Sequence, residues 1–164
     1  MKSGPDDQPS LDAIDRRILA ELQADGRMTN VDLAAKAGIS APPCLRRVRR
    51  LEEVGVIRGY HADLDPARLG WPITVFAIVG LESQKEAALA AFEKLVASWP
   101  EVRECHMIRG GGDFLLRLVA RDTPHENTLT QRLTGAPNVS QVRTLQTIRT
   151  GHALPGVPVD KLPA

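Results

Sequence analysis

A run of four arginines, Arg46, Arg47, Arg49 and Arg50, is the feature of this chain with the clearest chemical consequence. No acidic residue lies between positions 41 and 51, so nothing in this stretch offsets the positive charge. Guanidinium groups form paired hydrogen bonds with phosphate oxygens and with the edge of guanine. The run therefore predicts a surface that binds nucleic acid, unless it is only the solvated face of a structural helix.

Three short helices are expected to position these arginines. Apolar residues recur at helical spacing over residues 11–22, and Ser10 is the expected N-cap of that first helix. Thr29, with an acid three residues later, is typical of a capping box and predicts a second helix. Only Gly38-Ile39-Ser40 separates it from the third helix, so the chain must turn sharply there, as in a helix-turn-helix.

The second helix of such a motif enters the major groove of DNA. A helical wheel places two prolines and two arginines on its outer face and the other two arginines on the flanks. We therefore assign Pro42, Pro43, Arg46 and Arg50 to the groove, and Arg47, Arg49 and the helix N-terminal Ser40 to phosphates.

A second candidate site is formed by the glycines Gly110-Gly111-Gly112 and the acid Asp113 that follows them. Consecutive glycines can present backbone N–H groups to a carboxylate, and an aspartate can pair with an ammonium group. Together these groups suit the two ends of a free amino acid. On residue types alone, a plain hairpin turn without a ligand is the simpler interpretation, because glycine in a tight turn needs no ligand.

Short apolar runs alternate with helical stretches after residues 63–72, a segment with two prolines that is typical of a linker. Strands are expected at 73–83, 102–109, 113–120 and 139–150, and helices at 85–99 and 124–133. This βαββαβ order is that of the ferredoxin-like fold, so the chain as a whole is α+β. Since two helices cover only one face of the sheet and the first strand is apolar on both, we expect a second subunit on the other face.

The length of 164 residues allows two small domains joined by a linker. A composition of 43% apolar and 25% charged residues excludes disordered and collagen-like proteins. The formal net charge of +1 conceals the local basic face. We expect flexible tails at 1–10 and 151–164, a helix-turn-helix DNA-binding domain at 11–62, a linker at 63–72 and, at 73–150, a second domain that mediates oligomerisation.

Few other residues suggest chemistry. The two cysteines, Cys44 and Cys105, and the four histidines show no metal-ligand spacing, so no disulfide, metal or other cofactor is expected. No Ser-His-Asp or paired-carboxylate pattern indicates an enzyme. The N-terminus has no signal-peptide pattern, and the longest apolar run is far shorter than the roughly 20 residues that cross a membrane, which predicts a cytoplasmic protein.

The chain resembles the Lrp/AsnC family of transcription regulators in Leu11–Leu19, Pro43–Glu52, Gly55–Ile57, Glu104–His106 and Asp113–Leu116. The resemblance runs from about Leu11 to Arg149. It implies an N-terminal winged helix-turn-helix, a C-terminal effector domain (the RAM domain) and dimers that assemble into tetramers or octamers. It also implies a response to a small molecule, commonly an amino acid, in a cleft at the glycine turn between dimers.

On this resemblance, the effector residues are Met107, Arg109, Gly110, Gly111, Gly112, Asp113 and Thr123, with Leu145, Gln146 and Thr147 as weaker candidates. Two positions of the DNA-binding half depart from the family pattern. Pro42 stands where many members have a hydroxyl residue, and Arg46 where many have an acid. The operator sequence therefore does not carry over, and the glycines that replace an acid beside Asp113 leave the effector open.

The sequence as a whole predicts an effector-modulated transcription regulator that binds double-stranded DNA. Two alternatives of other classes stay open at this point. One is an enzyme like the siroheme decarboxylases, which resemble this family in fold; the basic face argues against it, because that reaction does not need one. The other is an amino-acid sensor that binds no DNA. Neither the sign of regulation nor the choice between tetramer and octamer follows from the sequence.

Overall fold

The computed structural model of the chain describes residues 9–161, which form two compact units. The helical unit consists of residues 9–63 together with residues 152–161. The sheet unit consists of residues 64–151. Positions 1–8 and 162–164 of the predicted tails lie outside the described residues.

The helical unit contains the three predicted helices, α1 (Ala13–Ala24), α2 (Asn30–Ala37) and α3 (Ala41–Glu53). Their buried side chains form one core, with Ile18 from α1, Leu33 from α2, and Cys44 and Leu51 from α3 almost completely buried. Ala34 is also buried, and its small side chain allows α2 to pack closely. The apolar stripes read from the sequence thus define the packed faces.

The first helix begins after Asp12, not after the predicted cap Ser10. The Asp12 carboxylate accepts hydrogen bonds from the backbone N–H groups of Ile14 (2.9 Å) and Asp15 (2.8 Å). The Asp15 side chain in turn accepts from the Asp12 N–H at 3.3 Å, which completes a capping box. An ionised carboxylate is a stronger acceptor than a hydroxyl and is favoured by the helix dipole, which explains the shift in the cap.

The turn between α2 and α3 is as predicted. The Thr29 hydroxyl accepts from the Asp32 N–H at 3.2 Å, and Gly38 ends α2 with φ +75°, a left-handed conformation that favours glycine. Ser40 occupies the N-cap position of α3, although its side chain makes no capping bond. Beyond α3, residues 56–62 form neither helix nor strand.

The sheet unit has the predicted βαββαβ order. Its elements are β1 (Ile73–Leu81), α4 (Glu86–Ala97), β2 (Val102–Met107), β3 (Phe114–Ala120), α5 (Thr123–Thr134) and β4 (Val139–Gln146). The strands are antiparallel in the order β2-β3-β1-β4. Strands β1, β2 and β4 end earlier than predicted, at Leu81, Met107 and Gln146, because the ladder pairs do not continue beyond these residues.

One face of this sheet is buried and the other is open within the chain. Alternate residues of β1, from Val75 to Leu81, are buried, and Ala77, Val79 and Leu81 share one core with Phe92 and Val96 of α4. The opposite face carries Phe76 and Ile78, which stay partly exposed. The predicted uncovered face is therefore present, with apolar side chains on it.

The sheet has two ends that matter for the site. At the turn end, the N–H of Asp113 bonds to the carbonyl of Val79 at 2.9 Å. At the connection end, Thr147 N–H bonds to the carbonyl of Thr74 at 2.9 Å, so the chain enters and leaves the sheet side by side. At about 3.4 Å per strand residue, the two ends lie roughly 20 Å apart along β1.

Residues 152–161, which belong to the predicted tail at 151–164, contact α1. A short 3₁₀ helix, Val159–Lys161, lies against α1, and Val159 is buried. Gln23 of α1 also forms two hydrogen bonds with the backbone of Val157. Composition alone misses these contacts, because they depend on where the rest of the fold brings α1.

A substitution at Gly112 tests the packing of the turn. A Cβ there would lie 2.6 Å from Ile78 Cγ2 and 3.2 Å from the Val79 carbonyl oxygen, whereas a Cβ at Gly111 meets nothing within 4 Å. We expect Gly112→Ala to lower the free energy of unfolding of the sheet unit by about 1–3 kcal/mol, as overpacking does. The measurement is urea unfolding followed by tryptophan fluorescence, since both tryptophans, Trp71 and Trp99, lie in this unit.

Gly111→Ala is the matched control and should leave the unfolding midpoint unchanged. Equal midpoints for the two variants would contradict the close packing of the turn on β1.

Candidate functional site

The buried side chain of Asp15 joins α1 to the arginine-bearing helix α3. Asp15 is only 1% exposed. Arg47 Nη1 donates to its Oδ1 at 2.8 Å, and Arg50 Nη2 donates to its Oδ2 at 2.5 Å. Arg47 Nη1 also donates to Asp12 Oδ2 at 2.7 Å. These charge-assisted bonds hold α3 against the first turn of α1.

The ionisation of these groups follows from the contacts. The backbone N–H of Asp15 and the Arg47 guanidinium lower the pKa of Asp12 below its ordinary value of 3.8. Asp15 and then Asp12 raise the pKa of Arg47. Asp12 therefore stays ionised at neutral pH, and its contribution to stability is lost only as the pH falls through its lowered pKa.

Only two of the four arginines remain without an acidic partner. Arg46 and Arg49 are exposed and form no hydrogen bond or ion pair with other residues of the described chain. The sequence assigned Arg47 to a phosphate and Arg50 to the groove. In the structure, both guanidinium groups bind acidic side chains of α1. The structure therefore separates the run into two unpaired and two internally paired side chains, although Arg50 stays 45% exposed while it binds Asp15.

The other predicted contact residues lie on the outer side of α3. Pro42 and Ser40 are exposed and Pro43 is half-buried. The Ser40 hydroxyl does not cap the helix and has no hydrogen-bond partner within residues 9–161. An open cleft of about 560 Å³ lies along this face, lined by Ser10, Asp12, Asp15, Pro43, Arg46, Arg47 and Arg50.

Sequence reasoning missed the roles of Asp12 and Asp15. A signal was available, since two acids three residues apart occupy the start of one helix while another helix carries four arginines and no acid. Charge complementarity between two helices indicates a pairing, but not which arginines it takes. That selection depends on the rotation of α3 in the core.

In the sheet unit, Asp113 holds the glycine turn against β1. Its Oδ2 accepts a hydrogen bond from the Leu81 N–H at 2.7 Å, and its backbone N–H binds the Val79 carbonyl. The other carboxylate oxygen has no partner among the described residues. Gly110 has φ +122°, a conformation that favours glycine, and Gly111 is exposed.

The predicted effector residues fall into two groups at opposite ends of the sheet. Met107, which is 55% exposed, lies at the turn end with Arg109 and the glycines. Thr123 lies at the connection end, a whole strand away, because β3 runs from the turn to Ala120. Within one chain Thr123 therefore does not lie near the turn, and the expected cleft between dimers stays a prediction. Leu145, Gln146 and Thr147 also lie at the connection end.

Other chemistry is not evident in residues 9–161. No group of three or more His, Cys, Asp and Glu side chains there is arranged to hold a metal ion. Burial raises the pKa of the Cys44 and Cys105 thiols, which makes them poor nucleophiles. None of the helices in this part of the chain is long and apolar enough to cross a membrane.

Comparison with known families matches both units. Residues 11–58 match the family described as Winged helix-turn-helix DNA-binding, and residues 74–151 match the Lrp/AsnC ligand binding domain. The Leucine-responsive regulatory protein of Rhizobium meliloti is 55% identical over 85% of this chain and 90% of that protein. The Bkd operon transcriptional regulator of Pseudomonas aeruginosa is 44% identical over 82% and 88%.

Solved structures agree with these matches. The AsnC family transcriptional regulator from Agrobacterium tumefaciens has a TM-score of 0.85 and 33% identity, and covers 92% of this chain and 98% of its own. A transcriptional regulator from Neisseria meningitidis in complex with L-Met has a TM-score of 0.86 and 30% identity, with the same coverage. A DNA-binding family and a ligand-binding family are thus matched in chain order.

Removing one charge tests the role of Asp15. Asp15→Asn leaves Arg47 and Arg50 with a neutral partner in a buried place, and we expect a loss of about 1–3 kcal/mol in the stability of the helical unit. The measurement is hydrogen exchange of the α3 amides, read by mass spectrometry.

Asp12→Asn is the matched control. Asparagine caps helices as well as aspartate, and the Asp12 side chain is 52% exposed, so the loss should be much smaller. Equal protection of α3 in the two variants would show that Asp15 does not hold the helix.

Proposed function

The chain belongs to the Lrp/AsnC family of transcription regulators, and from this premise we propose which residues read DNA and which bind the effector. It is a DNA-binding transcription regulator whose activity is modulated by a small effector. The helical unit carries the DNA-binding function and the sheet unit the effector function.

We propose that α3 enters the major groove with Arg46, Pro42 and Pro43 toward the base edges. Arg49 and the free hydroxyl of Ser40 contact phosphates on either side. Arg47 and Arg50 act as positioning residues, since Asp15 holds them. The observation that carries this division is the pairing of the buried Asp15 with two of the four arginines, which leaves the other two exposed and unpaired.

The open face of the sheet supports a homodimer. Phe76, Ile78 and Leu115 lie together on it, since β1 and β3 pair Ile78 with Leu115. These side chains are only partly covered within the chain, and a second copy would bury them. A dimer also provides two α3 helices, which suits an operator with two half-sites. From membership of the family, we expect the dimers to assemble into tetramers or octamers.

The positions of the candidate effector residues favour a site shared between subunits. The glycine turn and Thr123 lie at opposite ends of one sheet, so a single chain cannot bring them to one small molecule. Two chains can bring them together if the turn end of one sheet meets the connection end of the other. The N–H groups of the turn would bind a carboxylate, and the unpaired oxygen of Asp113 would bind an ammonium group. Because a free amino acid carries both groups, we propose an amino acid as the effector. The L-Met complex of the Neisseria meningitidis regulator supports this chemistry.

We propose that the protein regulates without catalysis and acts in the cytoplasm, where bacterial DNA lies. The exposed basic residues of α3 support this over an enzyme or a DNA-free sensor, neither of which uses them. Incubation with siroheme that left bound pigment on the purified protein would favour the enzyme instead.

Two arginine substitutions test the reading of DNA. Because Arg46 is assigned to bases, Arg46→Ala should relax base preference, with about 1–3 kcal/mol less discrimination between the protein's own upstream DNA and random DNA. Because Arg49 is assigned to a phosphate, Arg49→Ala should weaken binding to both DNAs and reduce the slope of log affinity against log salt by about 1. Gel retardation over a salt series measures both effects.

Arg68→Ala is a suitable control, since that side chain is 87% exposed and lies in the linker. If Arg46→Ala and Arg49→Ala lower specific and random binding equally, the division of roles is wrong. If the unmodified protein retards no DNA even at low salt, the DNA-binding function itself fails.

Substitution of Asp113 tests the effector site. Asp113→Asn keeps an oxygen that accepts from the Leu81 N–H but removes the charge, so the turn should persist while the response to amino acids is lost. Asp113→Ala should lose both the hydrogen bond that holds the turn and the response to amino acids. Thermal shift against the twenty amino acids singly, followed by gel retardation with those that bind, measures the response. A full response by Asp113→Asn would remove the carboxylate from the site.

A further inference from the structure

Gln23 on α1 binds the backbone of the C-terminal segment through both groups of its amide. Its Nε2 donates to the Val157 carbonyl at 2.8 Å, and its Oε1 accepts from the Val157 N–H at 3.1 Å. A backbone N–H only donates and a carbonyl only accepts, so the pair determines the orientation of the amide. One glutamine thereby recognises a main-chain residue 134 positions away.

The residues around Val157 are suited to this contact. Gly156 has φ +71°, a conformation that favours glycine, and a Cβ on it would lie 2.0 Å from Gln23 Oε1 and so displace the Gln23 amide. Pro155 and Pro158 flank the contact and restrict the free segment, which lowers the entropy lost on docking. Val159 then buries its side chain, with only 6% exposed, where the 3₁₀ helix lies on α1.

Chain connectivity gives this contact a consequence for the whole protein. The helical unit is made from chain on both sides of the sheet unit, so two connections join the units, one at residues 63–64 and one at 151–152. Both start from the connection end of the sheet, where Thr74 and Thr147 are hydrogen-bonded. If the C-terminal segment were released from α1, only the first connection would remain.

We infer that residues 152–161 form a C-terminal clasp, which grips α1 through Gln23 and Val159 and holds the helical unit by a second tether. The inference rests on the proposed function. A unit held by two tethers explores fewer orientations than a unit held by one, so less orientational entropy is lost when two α3 helices engage one operator. The clasp therefore strengthens specific binding by the dimer and has little effect on non-specific contact with DNA.

Two substitutions on opposite sides of the contact test the clasp. Gln23→Ala removes both hydrogen bonds and leaves a good helix former in α1. Gly156→Ala places a Cβ against Gln23 and changes only the C-terminal segment. We expect each to weaken binding to the protein's own upstream DNA by about fivefold, because free orientations are restored. The double variant should be no weaker than either single one, since both break the same contact.

Gln131→Ala, an exposed glutamine on α5, is the matched control and should bind as the unmodified protein does. Hydrogen exchange reports the contact itself: the Val157 amide should be protected in the unmodified protein and unprotected in Gln23→Ala. Unmodified affinity in both variants, additive losses in the double variant, or an unprotected Val157 amide would overturn the clasp. Failure of the unmodified protein to bind its upstream DNA specifically would overturn the proposed function instead.

Discussion

The DNA-binding surface depends on one buried carboxylate. Asp15 has almost no contact with water, and an ionised carboxylate in such a place is stable only when it is fully hydrogen-bonded. Arg47 and Arg50, three residues apart on α3, supply those bonds. Because both must reach one carboxylate, the rotation of α3 about its axis is restricted. That rotation is what turns Arg46 and Arg49 outward.

The same interaction explains how a chain with a net charge of +1 can present a local basic surface. Asp12 and Asp15 pair with Arg47 and Arg50, and Arg46 and Arg49 keep their charge without an acidic partner among the described residues. On the proposed assignment, binding in the groove relies on a few well-placed groups, which favours selectivity over strong general attraction to phosphates. In the sheet unit, geometry imposes a comparable limit, since the turn and Thr123 lie at opposite ends of the sheet and a site that uses both needs the second chain of the proposed assembly.

Much of this architecture was predictable from local pattern. Helical periodicity gave α1 to α3, Thr29 and Gly38 marked the ends of α2, and short apolar runs gave the βαββαβ order. Features that depend on closure of the fold were not predictable in this way. Asp12 rather than Ser10 caps α1 because a carboxylate is the stronger acceptor. The pairing of Arg47 and Arg50 with Asp15 depends on how α1 packs on α3. The distance from the turn to Thr123 depends on the strand order. The hydrogen bonds between Gln23 and Val157 join residues 134 positions apart, so no local sequence pattern predicts them.

The most direct measurement of the central claim is NMR of the guanidinium Nη–Hη groups of the arginines of α3, with and without the protein's own upstream DNA, because Arg47 and Arg50 bind Asp15 through Nη1 and Nη2. In the free protein, we expect slow exchange with water for Arg47 and Arg50, which are bound to Asp15, and fast exchange for Arg46 and Arg49. On addition of DNA, the signals of Arg46 and Arg49 should shift and become protected while those of Arg47 and Arg50 change little. Large shifts of Arg47 and Arg50, with loss of their contact to Asp15, would contradict the account.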